Sequence, residues 1–109
     1  MNGKKWCEAT GFFLVVRFWV APHAQAGLMR WLDGGHVSEV LGQPGFLWCK
    51  RIRLEKAADG WAGYAQIYGI ESKEAFDAYN GSPLMEKFKR ERAPFEKHMR
   101  IERFFGEVA

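Results

Sequence analysis

The sequence is poor in cysteine and has no long apolar run, and each absence excludes a class of protein. Cys7 and Cys49 are the two cysteines among 109 residues and do not form a CxxC pair, so neither a disulfide framework nor a zinc site is supported. No apolar stretch reaches the roughly 18 residues that a membrane-spanning helix needs. Internal repeats, phosphate-binding glycine loops, dinucleotide fingerprints and nucleophilic serine motifs are also absent. We therefore expect reduced thiols and no metal site.

The sequence also lacks a concentrated patch of basic charge. The net charge is +3 and the isoelectric point about 9.0, but acidic and basic residues alternate through residues 86–103. This alternation is typical of a solvated helix face with i,i+4 ion pairs. A nucleic-acid-binding protein would show a clustered basic stripe or a recognisable module. Neither nucleic acid nor a membrane is an expected partner.

The first 26 residues resemble a secretory signal, with two lysines, an apolar run and an Ala-Gln-Ala segment. Glu8 before the run and Arg17 within it argue against export. Cleavage after the Ala-Gln-Ala segment would also remove the clearest strand of the chain. We therefore expect a cytoplasmic protein, with a flexible N-terminal segment at residues 1–10 and a single domain at residues 11–109.

Aromatic and apolar residues are abundant for a chain of this length. Hydrophobic residues make up 48% and aromatic residues 16%, including five Trp and nine Phe, which is more than one small core readily hides. The excess predicts an aromatic pocket, a dimer interface on a second apolar face, or both together.

The apolar patterns predict the element order β-α-β-β-α-β. The predicted strands are Phe12–Val20, Phe46–Glu55, Trp61–Ile70 and Met99–Val108, and the predicted helical segments are 22–41, broken at Gly34–Gly35, and 72–97, broken at 80–83. Right-handed crossovers around one hairpin then give an α+β, ferredoxin-like fold. Its four-stranded antiparallel sheet has the order 4-1-3-2 with both helices on one face. The other face would be bare in a monomer, so we expect a sheet-to-sheet homodimer.

His36 is the first candidate for a working residue, because it follows two glycines at the start of a helical piece. One interpretation is that it caps or lines this piece and hydrogen-bonds to backbone or water. The other is a general acid or base in a pocket, since an imidazole titrates near neutrality.

Arg17 is the second candidate, because a lone cation in an apolar central strand is unfavourable unless it is paired. A structural ion pair with a carboxylate of a neighbouring strand, such as Glu102, is one interpretation. The other is an anchor for the carboxylate or phenolate of a substrate.

Polar-tipped and aromatic side chains form the remaining candidates. Tyr64, Gln66 and Tyr68 alternate onto one face of a strand, where they either contact a ligand or fill the space between two sheets. The small residues that alternate with them are expected to let a helix approach closely. Trp31 and Trp48 are either ligand contacts or ordinary core.

Three segments resemble the dimeric α+β barrel superfamily, and most of all a branch of short bacterial proteins known only as a domain of unknown function. The residues that carry the resemblance are Trp31, His36, Glu39, Val40, Leu41, Gly45 and Phe46, the strand Tyr64 to Tyr68, and Arg103 in the last strand. The superfamily includes antibiotic-biosynthesis monooxygenases, heme-degrading monooxygenases, muconolactone isomerases and polyketide cyclases. The resemblance implies a hydrophobic pocket between sheet and helices, which in several members is approached by a histidine of the first helical region.

Together, residues and resemblance lead to a functional hypothesis. The protein is expected to be a homodimer that binds a hydrophobic or aromatic acid or ketone and acts as a cofactor-free isomerase, cyclase or monooxygenase. His36 would be the acid or base, Tyr68 a donor to an oxyanion, and Arg17 an anchor. The alternative is a non-catalytic ligand-binding or stress-associated dimer. No cofactor is expected, and heme stays open only because one histidine can serve as an axial ligand.

Overall fold

The computed structural model describes residues 9–109, and its elements follow the predicted order. The strands are β1 (Phe12–Val20), β2 (Phe46–Leu54), β3 (Ala62–Ile70) and β4 (Met99–Glu107), and the helices are α1 (Pro22–Trp31), α2 (Val37–Leu41), α3 (Lys73–Asn80) and α4 (Leu84–Arg92). A π-type turn, Leu32–His36, joins α1 to α2, and a 3-10 turn, Ala93–His98, joins α4 to β4.

The four strands form one antiparallel sheet in the spatial order β2-β3-β1-β4. This order is the predicted 4-1-3-2 written from the other edge, so the predicted fold class and topology are confirmed. The central strands β1 and β3 are the apolar ones, because each is flanked by neighbours on both sides. In register, Arg17 of β1 lies between Ala65 of β3 and Glu102 of β4.

The two faces of the sheet are chemically different because side chains alternate along each strand. Phe12, Leu14, Phe18 and Val20 of β1 are buried beneath the helices. These side chains pack with apolar residues of all four helices, so every helix lies on this one face, here called the helix face. The opposite face, here called the outer face, carries no helix.

On the outer face, two glycines of β3 are covered by tryptophans rather than by a helix. The indole of Trp48 lies over Gly69, and that of Trp19 lies over Gly63, so that a Cβ at either glycine would collide with the ring. The expectation that the small residues of β3 let a helix approach is therefore wrong. Large flat rings of the neighbouring strands occupy that space instead.

The predicted break between the first two helical pieces lies at Gly34–Gly35. Gly35 has a φ of 157°, a backbone conformation that residues with a Cβ rarely adopt. The chain resumes helical geometry at His36 and ends again at Gly42, close to where the sequence predicts. The kink points the start of α2 into the space above the sheet.

The second helical segment is also divided as predicted. Ser72 accepts a hydrogen bond from the backbone N–H of Ala75 at 3.2 Å, which caps α3. The α-helix of α4 ends at Arg92, five residues before the predicted end at residue 97. Pro94 explains the difference, because its nitrogen carries no hydrogen and cannot donate the backbone hydrogen bond that would continue the α-helix, so the chain continues as the 3-10 turn.

Most of the expected flexible segment 1–10, including Cys7, lies outside the described residues. Thr10 is described and buried, and its hydroxyl accepts a hydrogen bond from the indole N–H of Trp48 at 2.9 Å. Cys49 is a free thiol whose pKa is raised by burial. No helix within residues 9–109 is long and apolar enough to cross a membrane.

Candidate functional site

A cavity of about 310 Å³ lies between the helix face of the sheet and the helices α1 and α4. Its volume is at the lower end of the range for small-molecule sites. The deep part is formed by side chains that solvent hardly reaches, namely Leu14, Phe18, Leu28, Val40, Gln66 and Tyr68. The cavity is therefore an apolar chamber with a few polar groups in its floor.

The cavity opens beside the edge strand β4. The lining residues there are exposed, and they are Asn80, Lys89, Ile101 and Arg103. Arg92 of α4 lies at the same opening, half-buried. Among the described residues that line the cavity there are three such cations and no carboxylate, so the mouth is basic while the interior is apolar.

His36 lines this cavity and is held between two aromatic rings. Its imidazole stacks on Trp31 with ring centroids 4.1 Å apart, and it meets the edge of Phe88 at 4.3 Å. Its Nδ1 is sealed from solvent and has no hydrogen-bond partner among the described residues. The ring orientation is thus set by aromatic packing and not by hydrogen bonds.

Burial lowers the pKa of His36 to about 4, against an ordinary value of 6.5, although the carboxylate of Glu91 opposes the shift. The imidazole is therefore neutral at pH 7 and can accept a proton. The side chain makes no capping hydrogen bond at the start of α2. The interpretation of His36 as a helix cap is not what the structure shows.

Tyr68 stands in the floor of the cavity with its hydroxyl protonated. Burial raises its pKa further above the ordinary value for tyrosine, and Cys49 and Tyr79 add to the shift. No described residue forms a hydrogen bond with this hydroxyl. An uncommitted, protonated hydroxyl in an apolar floor is a hydrogen-bond donor for an oxygen of a bound molecule.

Gln66 is buried in the same floor, and a neighbouring arginine holds it in place. The Nε of Arg51 donates to Oε1 of Gln66 at 2.9 Å, and its Nη2 donates to Oδ1 of Asp33 at 2.7 Å. The hydrogen bond from Arg51 also keeps the pKa of Asp33 below its usual value. Since Asp33 belongs to the turn that ends at His36, Arg51 ties the cavity floor to that turn.

The structure brings some of the predicted site residues together and separates others. His36, Tyr68, Gln66 and Trp31 line the cavity. Tyr64 lies on the same helix face, but its hydroxyl accepts a hydrogen bond from Gln25 at 2.8 Å and it does not line the cavity.

Arg17 and Trp48 lie on the outer face, across the sheet from the cavity. Arg17 forms an ion pair with Glu102, the structural alternative that the sequence analysis left open. Its guanidinium also lies 5.3 Å from the ring of Trp19 and 5.8 Å from that of Phe104. Arg17 therefore cannot anchor a ligand in the cavity of its own chain.

Sequence reasoning missed Tyr79, Lys89 and Arg92 as cavity residues, and it noted Arg103 only as part of the resemblance. Lys89 and Arg92 belong to the alternating charges of α4, which are typical of a solvated face. The one signal that singles them out is their i,i+3 spacing on the side of the helix that also carries Phe88. Within residues 9–109 no group of three or more His, Cys, Asp or Glu lies close enough to hold a metal ion.

No protein-family model matches the sequence, and no curated protein is significantly similar to it. Solved structures are similar in fold. One is a monooxygenase of Streptomyces coelicolor, the product of the gene ActVA-Orf6, in complex with nanaomycin D. It is 20% identical with a TM-score of 0.64, covering 94% of this chain and 92% of that one.

The protein has the ferredoxin-like α+β fold of the antibiotic-biosynthesis monooxygenases. A cofactor-independent oxygenase of Streptomyces nogalater, SnoaB, is 18% identical with a TM-score of 0.57 and covers 93% of this chain and 95% of its own. These matches agree with the resemblance to the dimeric α+β barrel superfamily. At such identities they establish the fold alone.

The expectation that no cofactor takes part is wrong. MhuD, a heme-degrading protein of Mycobacterium tuberculosis, is 23% identical with a TM-score of 0.64, covering 90% of this chain and 95% of its own. Its structure holds two hemes in the active site. The sequence of the present chain carries no heme motif, so composition and spacing gave no sign of this.

Proposed function

We propose that the protein binds a flat aromatic acid or ketone in the cavity and acts on it as a monooxygenase-like enzyme. The observation that supports this is the pairing of a neutral imidazole, His36, with a protonated hydroxyl, Tyr68, among the lining residues of one apolar cavity. A proton acceptor and an oxyanion donor in one apolar site are the two parts that activation of a phenol or an acidic C–H group requires.

In the proposed reaction, His36 accepts the proton of the bound substrate and Tyr68 donates a hydrogen bond to the oxygen on which negative charge develops. Trp31 holds the imidazole in orientation through the stacking contact. The same proton transfer would begin an isomerisation or a cyclisation. Oxygenation is the preferred reaction because two of the similar structures are an oxygenase and a monooxygenase.

The test is oxygen consumption with a panel of dihydroxynaphthoates and acetyldihydroxynaphthalenes, which are flat aromatic acids and ketones that carry an activated phenol. We expect His36→Gln and Tyr68→Phe each to lower kcat by about 100-fold, the scale of a lost general base or oxyanion donor. His23→Gln is the matched control, since His23 is exposed and outside the cavity. Loss of thermal stability in His36→Gln without a selective loss of turnover would favour the non-catalytic ligand-binding dimer.

Heme is a second candidate ligand, favoured by the chemistry of the cavity. Its walls are apolar, its mouth carries three cations, and His36 is a neutral imidazole that forms no hydrogen bond with residues 9–109. These residues fit the group: His36 would ligate the iron and the cations of the mouth would bind the propionates. When bound, heme would supply the iron chemistry of oxygen activation.

Heme binding is tested apart from activity by titrating the protein with hemin and recording the Soret band. We expect saturable binding at one stoichiometric equivalent or more per chain, with a shifted band that His36→Gln abolishes. A spectrum that is the same in wild type, His36→Gln and His23→Gln would exclude His36 as the ligand.

We further propose that two copies associate through their outer faces. That face carries apolar side chains that remain exposed in the single chain, including Ile52 at 47% and Phe104 at 50%. Soluble monomers seldom leave such side chains clustered on a sheet that nothing covers. A second identical sheet would cover them and leave the cavities on the outside of the pair.

A further inference from the structure

We infer that the mouth of the cavity is a carboxylate-binding site, formed by Arg92 and Arg103, that selects an aromatic acid over the corresponding ketone. The inference rests on the proposed function, because it names the class of molecule that the same cavity takes. Neither Arg92 nor Arg103 takes part in the proton transfer proposed for His36 and Tyr68.

The two arginines both line the mouth of the cavity. Arg103 lies on β4 with its side chain on the helix face, and Arg92 belongs to the last turn of α4. Both guanidiniums act on the hydroxyl of Tyr79, whose pKa is raised by burial while the charges of Arg103 and Arg92 oppose the rise. The charges of both arginines therefore act on the same buried side chain of the cavity lining, from different elements of the fold.

Neither guanidinium has a close carboxylate partner among residues 9–109: Arg103 has none, and Arg92 has only a long ion pair with Glu96. Arg103 donates to the side-chain oxygen of Asn80 at 3.3 Å, a neutral partner, and forms no ion pair within residues 9–109. Arg92 has its Nε buried without a hydrogen bond, and the nearest carboxylate oxygen, that of Glu96, lies 3.8 Å away. A buried guanidinium N–H without an acceptor is unfavourable, and an incoming carboxylate would relieve it.

The position of these charges fits an amphipathic ligand. The cavity interior is apolar and takes a ring, whereas Arg103 is exposed at the mouth, so a carboxylate bound there keeps part of its hydration. Arginine presents a planar fork that matches the two oxygens of a carboxylate. A ketone offers a single acceptor and no charge, and it leaves the second guanidinium unpaired.

The test compares 2-naphthoate with 2-acetonaphthone, which share the ring system and differ in the charged group. Calorimetric titration at pH 7.5 and low salt should show naphthoate binding at least tenfold more tightly. Arg103→Gln and Arg92→Gln should each weaken naphthoate binding by about tenfold, the effect of one charge-assisted hydrogen bond at a partly exposed site. Both should leave the binding of acetonaphthone within twofold.

Arg90→Gln is the matched control, because Arg90 is an exposed residue of the same helix that does not line the cavity. Equal affinities for the two probes, or an equal loss in Arg90→Gln, would overturn the carboxylate site while leaving the aromatic cavity intact. Binding of neither probe would instead contradict the proposed function. Since Arg103 is exposed, Arg103→Gln remains informative even if Arg92→Gln unfolds.

A free aromatic acid and the propionates of heme share this chemistry, and hemin titration of Arg103→Gln distinguishes them. A loss of naphthoate affinity alone identifies a free acid as the ligand, and a loss of hemin affinity alone identifies a porphyrin. Either result supports the carboxylate site. Unchanged affinity for both molecules in both arginine variants overturns it.

Discussion

At the scale of single residues, His36 owes its chemistry to its neighbours and not to its position in the chain. Trp31 and Phe88 enclose the imidazole, which lowers its pKa to about 4 and leaves its Nδ1 without a partner. From the sequence alone, His36 is predicted to be ready to act as either acid or base. The buried environment removes the first role at neutral pH, because the imidazolium is not populated there.

The low pKa of His36 predicts a specific dependence of stability on pH. Between pH 6.5 and about 4 the unfolded chain binds a proton that the folded chain does not, so the free energy of unfolding falls as the pH is lowered through this window. Above pH 6.5 the titration of His36 does not reduce the free energy of unfolding. By about pH 4 it has reduced the free energy of unfolding by up to about 3 kcal/mol. Urea unfolding at a series of pH values measures it.

His36→Gln should show a flatter pH profile than wild type across this window, whereas His23→Gln should keep the wild-type slope. Carboxylates such as Asp33, whose pKa is lowered by Arg51, change the free energy of unfolding mostly below pH 4. Parallel profiles for wild type and His36→Gln would show that the imidazole is not shielded as described.

At the scale of elements, the kink between α1 and α2 carries His36 to the cavity. Gly35 adopts its φ of 157° with no neighbouring atom close to it, so the requirement for glycine is conformational and not steric. Gly34, beside it, also faces open space but has no such backbone conformation. The pair offers a matched test of what the kink contributes.

Gly35→Ala should lower the free energy of unfolding by about 1–3 kcal/mol, since alanine adopts this φ only with strain. Gly34→Ala should change it by less than about 1 kcal/mol. Chemical denaturation measures both values. The hemin or naphthoate affinity of Gly35→Ala should fall as well, because the turn positions His36, and an unchanged affinity would mean that the cavity does not depend on the kink.

The elements themselves were largely predictable. β1 lies where its apolar run predicts, and the cap at Ser72 is where a polar side chain precedes a helical pattern. The prediction that the small residues of β3 lie beneath a helix is wrong. A period-two pattern separates the two faces of a strand but does not show which face the helices cover. The prediction also extended α4 past Pro94, although proline is a signal that sequence alone provides.

At the scale of the whole molecule, the outer face predicts the oligomeric state. Light scattering at micromolar concentration should give a mass twice the 12.6 kDa of the chain. The double variant Ile52→Lys with Phe104→Lys should be monomeric, since a twofold interface would place each added charge in it twice. Glu55→Lys, an exposed change just beyond β2, is the control and should remain dimeric.

A monomeric wild type would contradict the proposed interface. If the double variant also loses its circular dichroism spectrum, the single variant Phe104→Lys separates unfolding from dissociation, because Phe104 is half-exposed in the isolated chain.

The sequence by itself determined the element order, the sheet topology and the two central strands, because alternation and helical spacing are local and each apolar face must be buried somewhere. The tertiary structure decided which residues share the cavity. Arg17 and Tyr68 both lie in central strands, yet the sheet places one on the outer face and the other in the cavity that His36 also lines. Arg92 and Arg103 belong to different elements, and only the folded chain brings both to the lining of one cavity. Convergence of this kind depends on how elements pack, and no local pattern encodes it.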